Sequence, residues 1–144
     1  MPTFREVNIK IESLIDELDS SGLTMGERER TESVATGYLR FGEDATLTYT
    51  ESGEYGTVST ELWVSGDTVT VKRTGAIVSE LRFTEGLTHT SLYEVPPYKF
   101  DICVKARRVR VDLKSEGGVV DVLYDMDIGG ARKAVRMKIW IQAS

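Results

Sequence analysis

The sequence predicts an all-β protein, a closed antiparallel up-and-down barrel of about eight or more strands, formed as one domain over residues 1–144. Three observations lead there. Apolar residues return at every second position: Val109, Val111 and Leu113 alternate with Arg108, Arg110, Asp112 and Lys114. Val120, Val122, Tyr124, Met126 and Ile128 alternate with Asp121, Asp125 and Asp127, and Val135, Met137, Ile139 and Ile141 with Arg136 and Lys138. A period of two places alternate side chains on opposite faces of a strand, one dry and one wet. The runs are also short and joined by glycine-containing turn signals at hairpin spacing, which describes an antiparallel meander. Finally, that many strands must hide their edges, and closure does so most fully; a sandwich is the second arrangement compatible with the pattern.

The elements follow in order. Residues 7–18 fit two periods, since Val7, Ile9, Ile11, Ser13 and Ile15 alternate while Ile11, Leu14, Ile15 and Leu18 keep helical spacing. The β-branched content favours a strand. Asp19-Ser-Ser-Gly22 turns the chain, and the charged stretch Glu27-Arg-Glu-Arg30 leads into a strand that ends near Phe41. Gly42-Glu-Asp44 turns into Ala45–Glu51, with Ala45, Leu47 and Tyr49 on one face. After the loop Ser52–Gly56, the alternating set is Val58, Thr60, Leu62 and Val64. Ser65-Gly-Asp67 is a short hairpin signal. Val69, Val71 and Arg73 share a face, then Ile77, Ser79, Leu81 and Phe83, then His89, Ser91, Tyr93 and Val95. Pro96-Pro97 interrupts the ladder because proline has no N–H to donate. Phe100, Ile102, Val104 and Ala106 resume it, and Ser115–Gly118 and Gly129-Gly130 close the last hairpins.

Composition bounds the class of protein. Apolar residues make up 40% and charged residues 28% of the chain, as in an ordinary soluble domain. No apolar run is long enough to cross a bilayer, and the opening Met1–Glu6 lacks a signal-peptide core. Together with the single cysteine, Cys103, this predicts a cytoplasmic protein with no disulfide and no membrane partner. The net charge of −5 is uneven, with 8 basic against 17 acidic residues over 1–98 and 10 against 6 over 99–144. The basic cluster at Lys105–Lys114 and Arg132–Lys138 could meet phosphates. The simpler expectation is that Arg136 and Lys138 lie across a hairpin from Asp125 and Asp127 and pair with them; the acidic total argues against nucleic acid as a partner.

Val71-Lys-Arg-Thr-Gly75, Leu81-Arg-Phe-Thr-Glu-Gly86, Tyr93 and Leu123-Tyr-Asp-Met-Asp-Ile-Gly129 resemble the YwiB-like family of uncharacterised bacterial proteins, over roughly residues 5–141. The resemblance implies a calycin-like β-barrel, of the architecture of lipocalins and fatty-acid-binding proteins, and implies no activity. Here Tyr93-Glu-Val-Pro-Pro-Tyr98 departs from the family's threonine and glycine-containing turn, so this loop is expected to be shaped differently.

The residues that carry chemistry are few. Arg73 shares parity with Val69 and Val71 and is expected on the dry face, where a charge is costly unless it is paired. His89 and Tyr93 share parity with Val95. Arg73, His89, Tyr93 and Tyr124 are therefore the candidate ligand-binding set, a guanidinium fork with phenol hydroxyls that suits a carboxylate or phosphate. The competing expectations are that Arg73 reaches water at the rim or pairs with Glu61 or Glu80, and that His89 is a packed or rim residue. Cys103 falls on the wet face with no base beside it. Asp125-Met-Asp127-Ile-Gly129-Gly130 opens like a calcium loop but has Gly129 and Arg136 where acids are required. No metal, nucleotide or cofactor signature is present. Trp63 and Trp140 share parity with polar neighbours, either capping barrel ends or marking a surface buried in a homodimer.

Two functions follow. The first is a non-enzymatic barrel that binds a small, partly apolar, anionic ligand. The second is a structural or interaction protein whose barrel is filled by its own side chains and whose basic outer strands meet a protein or RNA. An enzyme is the least supported, since no acid–base pair, nucleophile or metal cluster is legible.

Overall fold

The computed structural model describes residues 2–144, which form ten strands: β1 Thr3–Leu18, β2 Thr24–Phe41, β3 Ala45–Gly53, β4 Gly56–Ser65, β5 Thr68–Gly75, β6 Val78–Thr84, β7 Thr88–Val95, β8 Tyr98–Lys114, β9 Gly117–Ile128 and β10 Ala131–Ala143. Each strand pairs antiparallel with the next, and β1 also pairs with β10, from Val7 opposite Ala143 to Leu18 opposite Arg132. The sheet is thus a closed up-and-down barrel. Residues 7–18 are strand, as their β-branched content indicates. β2 begins at Thr24, so the charged stretch Glu27–Arg30 lies inside the strand rather than ahead of it.

The alternation resolves into an inner and an outer face. Val7, Ile9, Leu39, Leu47, Leu62, Val69, Phe83, Val104, Val120 and Ile139 point inward and are at most 2% exposed. Odd-numbered strands all run the same way, so the five turns that follow them share one end of the barrel. At the other end, the hairpin Ser65-Gly66-Asp67-Thr68 is closed by Gly66 at φ 59, a left-handed conformation that costs glycine nothing.

Two departures from a regular barrel shape the wall. In β8 the inward set shifts from Ile102, Val104 and Ala106 to Val109 and Leu113, because Arg107 is an extra residue between the pairs Ala106–Tyr124 and Arg108–Leu123. The bulge frees the Val109 N–H, which donates to Glu85 Oε1 at 2.9 Å, while Gly86 N–H donates to the Ala106 carbonyl at 2.9 Å. The β6–β7 turn therefore leans on β8. Between β6 and β7 themselves only Val78–Glu94 and Ser79–Tyr93 pair. Beyond them the Ser91 hydroxyl donates to the Glu80 carbonyl at 2.9 Å, and His89 Nε2 lies 3.3 Å from the same oxygen.

The outer wall corrects one expectation. The Gly129-Gly130 turn sets Asp121, not Asp125 or Asp127, opposite Lys138. Arg136 donates two bonds to Asp121, at 3.2 and 2.9 Å, and Arg107 takes Asp125 at 2.7 Å. The two tryptophans lie on separate parts of the wall. Trp63 lies on β4 and Trp140 on β10, four strands apart round the ring, and the ammonium groups of Lys10 and Lys138 sit 5.2 and 5.0 Å from the Trp140 ring.

Gly37 marks the point where β2 parts from β3, whose ladder runs only from Gly37–Tyr49 to Phe41–Ala45. A Cβ there would run into the Thr48 carbonyl oxygen and lie 3.0 Å from Ile9 Cδ1 and Tyr49 Cβ. Gly37→Ala should therefore destabilise the barrel by about 1–3 kcal/mol through overpacking of backbone on backbone. Urea denaturation would show this as a lower midpoint with an unchanged slope.

Candidate functional site

The register of the strands builds a polar row on an otherwise apolar inner face. Tyr49 on β3 faces Thr60 on β4, Thr60 faces Arg73 on β5, Arg73 faces Ser79 on β6, and Ser79 faces Tyr93 on β7. Direct cross-strand neighbours stand about 5 Å apart, so the register sets the five residues side by side in sequence. Tyr124 joins them from β9. Its ring centroid lies 4.5 Å from that of Phe83, and it senses the charge of Arg73 and the phenol of Tyr93.

Electrostatics mark this row as buried, with the Glu51 carboxylate, two residues beyond Tyr49 in the same parity of β3, close enough for Tyr49 to sense its charge. Burial pushes the Tyr124 hydroxyl up to about 12, against the opposing pull of the Arg73 guanidinium. Burial likewise raises Tyr49, with Arg73 again opposing. Arg73 is half-buried, and among the described residues no carboxylate lies within ion-pair distance of it. Glu61 and Glu80 flank Lys72 on the outer face instead. The Arg73 side chain thus follows the parity of Val71, and neither carboxylate weighed as its partner reaches it.

The hydroxyls between these groups are under-used. Thr60 is 1% and Ser79 4% exposed, and neither Thr60 Oγ1 nor Ser79 Oγ has a hydrogen-bond partner. The Thr60 hydroxyl lies close enough to the Tyr49 phenol to oppose the upward pull of burial on it, but falls short of a full hydrogen bond. A buried hydroxyl without a partner costs about 1–3 kcal/mol, and native proteins seldom leave one so. A cleft of about 310 Å³ opens where β2 leaves β3, lined in part by Gly37, Tyr38, Tyr49 and Thr60. A larger cleft of about 650 Å³ lies by the β9–β10 turn and carries Asp101, Cys103 and Asp127; it shares none of the polar row.

Of the four residues the sequence singled out, the structure brings Arg73, Tyr93 and Tyr124 together. His89 stands apart, its imidazole held in the β6–β7 seam by the Glu80 carbonyl. Tyr49, Thr60 and Ser79 belong to the row and were not selected from sequence. Their signal was a hydroxyl at an inward position in an otherwise apolar series, such as Thr60 between Val58 and Leu62 and Ser79 between Ile77 and Leu81.

The family model for a domain of unknown function, DUF1934, matches residues 17–139. The chain belongs to this family. It is 29% identical over 105 residues to the uncharacterized beta-barrel protein YwiB of Bacillus subtilis (strain 168), an alignment that covers 72% of this chain and 74% of that protein. The crystal structure of the B. subtilis ywiB protein superposes with a TM-score of 0.85 at 25% identity, over 98% of this chain and 93% of that one. The resemblance read from the strand motifs and the closed barrel are therefore both established. The polar row rests on the geometry of this DUF1934 barrel alone.

The Tyr124 environment gives a direct readout. A spectrophotometric tyrosine titration should show one slow-rising step near pH 12 that is lost in Tyr124→Phe. In Arg73→Met the step should move higher, because the cation that opposed burial is gone. The protonated phenol is favoured by the folded state, so its contribution is complete below about pH 10 and is lost as pH rises through about 12. Folding stability should fall over that window, and fall less in Tyr124→Phe.

Proposed function

We propose that the barrel is a non-enzymatic binding module that takes a small, partly apolar, anionic molecule at the end where the odd-numbered strands finish. The observation that carries this reading is the pair of buried hydroxyls, Thr60 and Ser79, left without a hydrogen-bond partner on either side of a guanidinium that makes no ion pair among the described residues. The row holds one pure donor, the Arg73 guanidinium, among hydroxyls that can each donate: the phenols of Tyr49, Tyr93 and Tyr124 and the two alcohols. A carboxylate or phosphate supplies an acceptor for them, and charge-assisted bonds in a partly dry site are the strong kind. Met126 and Ile128, partly buried near the end of β9 at the same end of the barrel, and Phe83 against Tyr124 offer apolar contact. The packed lower interior leaves the head group, rather than a long tail, as the part held by the row.

A second reading, a filled barrel that uses its basic outer strands to hold a protein or RNA, has less support. Arg107 and Arg136 are paired to Asp125 and Asp121 on their own wall, which lowers the charge available to a partner. The single free cysteine suits a reducing compartment such as the cytoplasm.

A panel of short- and medium-chain carboxylates and phosphate monoesters, screened by thermal shift and tryptophan fluorescence, tests the proposal. A true ligand at about 100 times its Kd should stabilise the fold by about 2.7 kcal/mol. Arg73→Met should weaken that ligand by roughly tenfold to a hundredfold, the worth of a charge-assisted bond, while leaving the fold intact. Absence of any shift across the panel, with Arg73→Met indistinguishable from the parent, would overturn it.

A further inference from the structure

Residues 29–36 of β2, and Thr24 and Met25 beyond a bulge at Gly26–Arg28, are paired on one side only. β1 covers one edge, the ladder to β3 begins at Gly37, and among the described residues no strand covers the other edge. The open side presents a free row of N–H and C=O groups, and residues 24–32 are exposed throughout. Natural edges are usually short, bulged, charged or covered, because an open one is a template for another strand; this one is bulged at its far end and charged, so a partner strand must match its charges along the regular part, Glu29–Thr36. The stretch is also held in place. Arg28 binds Asp16 through two bonds of 3.0 and 2.9 Å, Arg30 binds Glu12 and Glu32 at 2.7 Å each, and Lys10 reaches Glu32 at 3.4 Å.

We propose that a second copy of this chain pairs with this edge, antiparallel, about a two-fold axis that passes through Thr31. The order of charges selects both the partner and the register. A two-fold axis normal to the sheet sets residues of the same face opposite each other, so the axis falls on a residue and the allowed registers differ by one residue in its position. With the axis at Thr31, Arg30 faces Glu32 of the second copy and Glu32 faces its Arg30. Thr31 then faces itself, Glu29 faces Ser33, and Arg28 faces Val34. No like charges are opposed. With the axis at Arg30 that arginine meets its own copy, and at Glu32 that glutamate does. At Glu29, Arg28 meets Arg30 twice and Glu29 meets itself. Like charges directly opposite destabilise a strand pair, whereas opposite charges and paired threonines favour it.

Two further features fit the same register. Within one copy Glu32 stands opposite Glu12, a like pair eased by Arg30 and Lys10; an arginine arriving from the open side eases it further. Val34, 77% exposed, comes under the aliphatic stem of Arg28 of the second copy. The walls of two barrels then join as one sheet through β10, β1 and β2 of each copy. The interface is independent of the ligand reading, since none of its residues lies in the polar row.

Sedimentation of the full chain across the micromolar range tests this. The expected result is a dimer, loosened at least tenfold by Arg30→Glu and recovered in Arg30→Glu/Glu32→Arg, with circular-dichroism melts confirming that each variant is folded. Cross-linking fixes the register even if those variants fold poorly. In a Cys103→Ser background, Thr31→Cys should form an intermolecular disulfide under mild oxidation. Ser33→Cys should not, because its two copies would lie about 14 Å apart, beyond disulfide reach. A wild-type chain that sediments as a monomer throughout overturns the proposal. So does a dimer indifferent to Arg30→Glu, or one in which Ser33→Cys links as readily as Thr31→Cys.

Discussion

The ladder between the first strand and the last is the constraint on which the molecule rests. It joins residues more than a hundred positions apart, from Val7–Ala143 to Leu18–Arg132, and turns a meander with two open ends into a ring. Only a ring gives every strand an inner face at once, and only then do Leu39, Phe83 and Ile139, far apart in the chain, bury one another. On the outer face of that junction Lys10 of β1 lies over Trp140 of β10, and on the adjoining β9–β10 ladder Arg136 grips Asp121 through two bonds. The carboxylate of Asp121 is held below its usual range chiefly by the Arg136 hydrogen bonds, which places this fastening among the features that acid weakens.

A closed ring also explains why polar groups can collect inside. Arg73, flanked by Thr60 and Ser79, is inward because β5 has no freedom to rotate; the parity of Val69 and Val71 carries it there. The fold gains from burying the valines and bears a guanidinium and two alcohols as the consequence. A local rule broken inside an otherwise consistent pattern is where function tends to sit.

Alternation made the faces legible. Ala45, Leu47 and Tyr49, or Val135, Met137 and Ile139, could be assigned to the interior from spacing alone, and Arg73, Tyr93 and Tyr124 followed by parity. The irregular parts depend on pairing between strands, which spacing within one strand does not encode. The change of parity between Ala106 and Val109 was visible in the residues, and the bulge at Arg107 is its cause. His89 has inward parity yet is spent on the Glu80 carbonyl, because β6 and β7 diverge after two pairs. Tyr49, Thr60 and Ser79 passed as strand formers, since threonine and tyrosine favour strands whatever they face. The offset of the last hairpin was missed because the hairpin turn, rather than charge, chose which aspartate meets Lys138.

The seam between β6 and β7 has a consequence for motion. Apart from β2 and β3, joined by five pairs, neighbouring strands are laced along most of their length, but here two backbone pairs and the side chains of Ser91 and His89 carry the joint. Stability in a protein is distributed unevenly, and the least-laced line opens first. Beyond Ser79, β6 keeps its ladder to β5 but has none to β7, so a local parting there leaves the rest of the ring shut. The wall has a built-in hinge line, and it runs beside Ser79 and Tyr93.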